Sequence, residues 1–304
     1  MDGPATDTRD ELVVGVDPRD ASRPALDWAA DEALRRNLAL RLVLAVVPGR
    51  DPRHGARRPD DTLHRAALRK EGTEALADAA AWIADTHGGL AATPEIADGV
   101  PAAVLCARSG RARMLVLGSR HLGRTAEFFS TGSVAVPVSA RAECPVVVVA
   151  EPERIPRGPA HLVVGIDGSE ACRAALAFAL EEASLRGVAL RAVWVWPEPP
   201  VPVADTLGAL AGDPESEESA ASRERHRLLS AAVAEPARAH PDVEVGEQVL
   251  RGHPVEELAL ASHDAVAVVV GRRGHGGYTG MRLGSVVHGL LHRAECPVIT
   301  VPSQ

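Results

Sequence analysis

Aromatic side chains are scarce in this sequence. They make up 3% of its 304 residues, as four Trp, three Phe and one Tyr. Hydrophobic residues still reach 46%, so the cores must be built from Ala, Val and Leu. Positive charge is also in deficit: 41 acidic residues against 33 basic ones leave a formal net charge of −8. That balance argues against a general nucleic-acid binder, which carries a basic face or domain. It leaves room for a small anion held at a local basic spot. The Arg-rich stretch GRDPRHGARR (49–58) reads as a solvated loop. No run of about 18 apolar residues is present, so no membrane span is expected. The start, MDGPATDTRDELVVGVD, lacks the basic segment and apolar run of a secretory signal, and a cytoplasmic location is expected. The four cysteines, Cys106, Cys144, Cys172 and Cys296, form no CxxC pair and no Cys/His cluster at zinc spacing. They read as reduced thiols. Cys144 and Cys296 each precede an apolar strand and are assigned to the core.

The sequence does contain a duplication. LVVGVD (12–17) returns as LVVGID (162–167). LRLVLAVVP (40–48) returns as LRAVWVWPE (190–198). DGVPAAVL (98–105) returns as RGHPVEEL (251–258), and RAECPVVVV (141–149) as RAECPVITV (293–301). Four matches in one order make two copies of one domain, 1–150 and 151–304. AEPERIPRGPA (150–160), with three prolines and no periodicity, is the linker between them.

Each copy alternates strands and helices. In the second copy, strands are expected at 161–167, 189–196, 243–250, 265–271 and 297–302. Helices are expected at 169–187, 221–240, 254–263 and 285–294. Ser169 is a good N-cap and Gly187 a good stop, and Pro236 should kink or end its helix. The stretch 197–219, rich in Pro, Gly and acid, reads as a loop. Continuous apolar strands between helices indicate a parallel sheet covered on both faces. The fold class is therefore α/β: two tandem doubly wound domains, each a five-stranded parallel sheet flanked by helices. Such sheets bind ligands at the carboxyl ends of their strands, where the strand order reverses.

GRRGHGGYTGMRLGS (271–285) lies at such a place. Gly271 ends a strand, Gly274 follows three on, and Gly284–Ser285 opens the next helix after nine intervening residues. Glycines let backbone N–H groups approach an anion. A helix N-terminus adds free donors and partial positive charge. Ser285 can donate its hydroxyl, and Arg272, Arg273 and Arg282 can add charge. The bland alternative is a flexible loop with Ser285 merely capping its helix. Neither a Walker loop nor a G-x-G-x-x-G fingerprint is present. Asp167, at the end of the first strand of this copy, is either a base- or ribose-binding carboxylate or a plain turn or cap residue.

Together VVGIDGS, the G-x2-G-x9-G-S loop and the closing CPVITVP resemble the universal stress protein family in its tandem two-domain form. The resemblance spans almost all of both halves. It implies the adenine nucleotide alpha-hydrolase-like fold and ATP, with Mg2+ as its companion ion. In the second copy it implies nucleotide contacts at Gly165, Asp167, Val195, Gly271, Arg272, Gly274, Gly284, Ser285 and Val286. In the first it implies contacts at Gly15, Asp17, Ala45, Gly118, Gly132 and Ser133. The first copy departs from the pattern: DGS becomes DPR, His121 replaces the middle glycine, and ten residues instead of nine follow it. His121 narrows the phosphate path if that position needs φ > 0, unless it points outward and Gly123 serves instead. The stronger site is therefore expected in the second copy.

Three functions stay open at this point: an ATP-binding regulatory module, a weak ATPase or nucleotidyl-transfer enzyme, and a scaffold without nucleotide. The second-copy loop carries no carboxylate, the first only Glu127, and H-x-G-H is missing. His275 and His288 read as loop or surface residues. The family habit of pairing last strands implies that the two halves pack together, and a homodimer is expected.

Overall fold

Short β-branched runs become strands, and Ala- and Leu-rich segments become helices, in both halves of the chain. The computed structural model describes residues 9–18, 22–47, 59–119, 133–150, 158–196, 214–274 and 282–303. Two compact units result, Met1–Glu153 and Arg154–Gln304. The first contains β1 (Glu11–Gly15), α1 (Arg23–Arg36), β2 (Ala39–Val46), α2 (Pro59–Thr86), β3 (Ala92–Asp98), α3 (Pro101–Ser109), β4 (Ala112–Gly118), α4 (Ala135–Arg141) and β5 (Val146–Val149). The second contains β6 (His161–Ile166), α5 (Glu170–Arg186), β7 (Ala189–Trp196), α6 (Pro214–Ala237), β8 (Val245–Arg251), α7 (Pro254–Ala261), β9 (Ala267–Gly271), α8 (Ser285–Arg293) and β10 (Val298–Val301).

The strand order is β3-β2-β1-β4-β5 in the first unit and β8-β7-β6-β9-β10 in the second. The strand pairs within each unit are parallel. The order reverses between β1 and β4, and again between β6 and β9, so each unit has one switch point. The central strands are buried on both faces: Val13, Leu115, Val163 and Val268 are all 0% exposed. None of the largest fully buried side chains is aromatic, as the composition requires.

Local chemistry sets the helix ends. The Ser169 hydroxyl accepts from the Cys172 N–H at 3.2 Å and caps α5. Gly187 closes that helix at φ 63°, and Asn37 closes α1 at φ 53°. The helix α6 begins at Pro214, earlier than its apolar periodicity suggests, with proline in the first turn where a missing N–H costs nothing. Pro236 stands one residue before the end of α6 and so ends it. A buried ion pair recurs in both units. Glu32 on α1 and Glu182 on α5 are 0% exposed, held by Arg36 and Arg186 one turn later.

Candidate functional site

In the second unit, β6 delivers Asp167 to the switch point. The Asp167 Oδ1 accepts from the Ser169 N–H at 2.9 Å, an Asx turn that leads into α5. Asp167 is thus a turn residue, while the cap is Ser169. The adjoining strand ends at Gly271, where an added β-carbon would lie 2.8 Å from the Ala171 carbonyl oxygen. That glycine is required by packing alone. Arg272 N–H then donates to Val301 O at 2.8 Å and ties the loop entry to β10. At Gly274 a β-carbon would lie 2.4 Å from the Asp167 Oδ2. Gly274 does not adopt positive φ, so its need for glycine comes from the neighbouring carboxylate. The loop closes where Gly284 N–H donates to Arg272 O at 2.9 Å.

Gly284 is the N-cap of α8 and offers no side-chain cap. Ser285 opens the helix as its first residue, and the alternative that it merely caps α8 does not hold. The first intrahelical bond runs from His288 N–H to Gly284 O at 3.0 Å. The amides of Ser285 and Val286 precede it and sit at the positive end of the helix. Asp167, Gly274, Gly284 and the start of α8 are thus brought to one place. Gly165 lies one turn of the pleat away, with Leu258 and Val270 side chains over its open face. Val195 is half-buried on β7. Its neighbour Trp194 reaches across the Asp167 turn, its Cη2 lying 3.1 Å from where a Gly168 β-carbon would be.

In the first unit the same strand ends border a cavity of about 630 Å3. Gly15, Asp17, Ala45, Gly118 and Ser133 all line it, together with Ser22, Glu71 and Ser119. Asp17 and Glu71 are the charged side chains of the described lining, and no cation is among them. Ser119 N–H donates to Val149 O at 2.8 Å, the counterpart of the Arg272 anchor. Gly118 is pressed against the helix start, since a β-carbon there would lie 2.5 Å from Ser22 Cβ.

The helix after the loop differs. Ser133 was expected at the helix start, as Ser285 is, but α4 begins at Ala135 behind Val134. Pro137 explains the shift: a helix that began at Ser133 would drive the proline ring into the Ser133 carbonyl. Gly132, His121, Gly123, Glu127 and His275 lie outside the described residues, as do all of 49–58 and most of the linker.

The pattern-based model of the universal stress protein family matches residues 8–150 and again 160–302. The chain belongs to the universal stress protein family. A universal stress protein of Mycobacterium tuberculosis is 35% identical over 293 residues, covering 95% of each chain. A second from the same organism is 33% identical over 305 residues, covering 95% of this chain and 93% of its own. Among solved structures, a universal stress protein from Archaeoglobus fulgidus matches with a TM-score of 0.67 at 17% identity, covering 98% and 97% of the two chains. At that identity the match speaks for the fold. This universal stress protein therefore carries the family domain twice.

One thiol, Cys172, sits at the second switch point, where its Sγ–H donates to Ser169 O at 3.0 Å and burial pushes it up. Burial pushes the Cys144 thiol up to about 12 and the Cys296 thiol up to about 11. Both are buried, unbridged thiols. Among the described residues, no cluster of three His, Cys, Asp or Glu side chains is arranged to hold a metal ion, and no helix is long and apolar enough to cross a membrane. The motif reading missed Glu71, Ser22, Ser119 and Trp194. Their places follow from strand pairing and helix packing, which no local spacing encodes.

Proposed function

We propose that this universal stress protein is a regulatory module that binds ATP and responds to its occupancy. The observation that carries the reading is the convergence of Asp167, Gly274 and the Gly284–Ser285 start of α8. A triphosphate laid against α8 meets the amides of Ser285 and Val286, with Arg272 beside them. Asp167 then accepts from the ribose or base. In the first unit the cavity of about 630 Å3 is in the range of small-molecule sites, roughly 300–1,000 Å3. There Gly118, Ser119 and Ser133 take the phosphate side, and Asp17 and Ala45 the nucleoside side.

Mg2+ enters this reading only as a companion of the phosphates. The carboxylates at hand are Asp167 in the second unit and Asp17 and Glu71 in the first. The described residues are better suited to holding and orienting a nucleotide than to turning it over. Occupancy would act by favouring the conformation that binds ATP better. The test is direct. The purified protein is denatured and its supernatant assayed for adenine nucleotide, and ATP binding is measured by calorimetry on the emptied protein. Nucleotide release or ATP binding is expected. Neither being detectable would overturn the reading.

A further inference from the structure

The first-unit cavity holds one charged side chain that the motif leaves unexplained, Glu71. It lies on α2, which packs on β2 and β3, and lines the cavity beside Leu68. The neighbouring cations of α2 are engaged elsewhere. Arg65 and Arg69 pair with Asp98, and Lys70 approaches Glu74. No hydrogen bond or ion pair engages the Glu71 carboxylate among the described residues. The second unit treats its equivalent differently. Counted from the matched buried leucines Leu76 and Leu229, that residue is Glu224. Arg227 grips it with a two-pronged hydrogen bond at 2.8 and 2.9 Å. One carboxylate is neutralised within its own helix, and the other is left open beside a cavity.

Strand order tells which end of a ligand Glu71 would meet. The strand β1, with Asp17 after it, lies between β2 on the Glu71 side and β4 on the Gly118–Ser119 side. Neighbouring strands are about 4.8 Å apart, so about 10 Å separates the two sides. That span suits a nucleotide with its phosphates by Ser119 and Ser133 and its base toward α2. An ionised carboxylate only accepts hydrogen bonds. It rewards a base edge that carries an amine and repels one that carries a carbonyl.

Resting on the nucleotide reading above, we propose that Glu71 selects amino-bearing purines in the first unit by accepting from their exocyclic amine. Adenine is favoured, and hypoxanthine, with a carbonyl at the same position, is disfavoured. A hydrogen bond to a charged group supports discrimination of about tenfold or more.

The experiment measures ATP and inosine triphosphate binding to the full chain by calorimetry, for the wild type, Glu71→Gln and Glu224→Gln. The wild type is expected to prefer ATP about tenfold at one of its sites. Glu71→Gln should close that gap, because a carboxamide can also donate to a carbonyl. Glu224→Gln should keep it. ATP binding without a preference, or with a preference that Glu71→Gln leaves intact, overturns the assignment of Glu71 and spares the nucleotide reading. A chain that binds neither nucleotide overturns both.

Discussion

At the end of β2 the first unit has Leu44 and Val46, and at the matching end of β7 the second has Trp194 and Trp196. The two pairs sit in the same register beside the first strand of their unit, yet they shape different mouths. Leu44 and Val46 border an open cavity. Trp194 reaches over the Asp167 turn, and Trp196 lies under the Arg225 guanidinium at 4.2 Å, with Arg251 at 5.5 Å. Where Arg251 stands, the first unit has Asp98, paired with Arg65 and Arg69. The frames match where the sheet demands it, at the strand anchors, the tight glycines and the buried Glu–Arg pairs. They diverge at the side chains that border the two mouths. Duplication has kept the scaffold and left the two mouths free to differ.

The shared frame is open to a strong test. Arg186→Met leaves the 0% exposed Glu182 without its grip one turn away. Breaking a buried pair costs about 3–5 kcal/mol, which should appear as a lower calorimetric midpoint for the second unit. Arg36→Met should cost the first unit less, because Arg35 stays 2.9 Å from Glu32, whereas Leu185 occupies the matching place in the second unit. Equal losses would mean that Arg35 does not share the load.

The glycines can be sorted in the same way. Gly271→Ala forces a β-carbon onto the Ala171 backbone and should destabilise the second unit by about 1–3 kcal/mol. Gly284→Ala meets nothing closer than 3.4 Å at an extended φ of −70°, so it should cost only the exchange of an N-cap glycine for alanine, about 1 kcal/mol or less. Chemical denaturation of both variants decides whether these two motif glycines differ in role.

Smaller differences are expected from titration. The raised Cys144 and Cys296 thiols, at about 12 and 11, leave little thiolate at pH 8. Alkylation followed by mass spectrometry should label both only after unfolding. Labelling of either in the native protein at a free-thiol rate would contradict their matched burial. The least effect belongs to Asp98. Its hydrogen bonds from Arg65 and Arg69 hold the carboxyl below its usual range. A lowered value stabilises the fold above the ordinary carboxylate range, and that contribution is lost as pH falls through the lowered value. Because Asp98 is exposed, Asp98→Asn should move the first-unit midpoint only slightly at pH 7, and less as the pH falls below the ordinary carboxylate range, in a thermal scan. The second unit, with Arg251 in that place, should show no such change.

Much of the fold can be read from the sequence because its signals are local. Apolar runs such as AVAVVVG mark strands, Ser169 and Gly187 bracket a helix, and the repeat doubles every clue. The site is harder to read. The loop pattern locates Gly271, Gly274 and Gly284, but not why each is glycine. Those reasons lie in Ala171 and Asp167, far away in the chain, and only strand pairing brings them near. At Gly274 the constraint is the Asp167 carboxylate and not a positive φ. The late start of α4 was readable in Pro137, a local signal outweighed by the repeated Gly–Ser. The Trp194 cover and the Glu71 lining depend on packing between elements and have no short-range signature.

The most direct measurement is ATP binding by calorimetry to the wild type, Gly274→Val and His121→Gly. The account predicts that wild type binds ATP and that Gly274→Val, which drives a side chain into Asp167, loses binding at one site by at least tenfold. His121→Gly should change binding less. Equal effects of the two substitutions, or no ATP binding by the wild type, would contradict it.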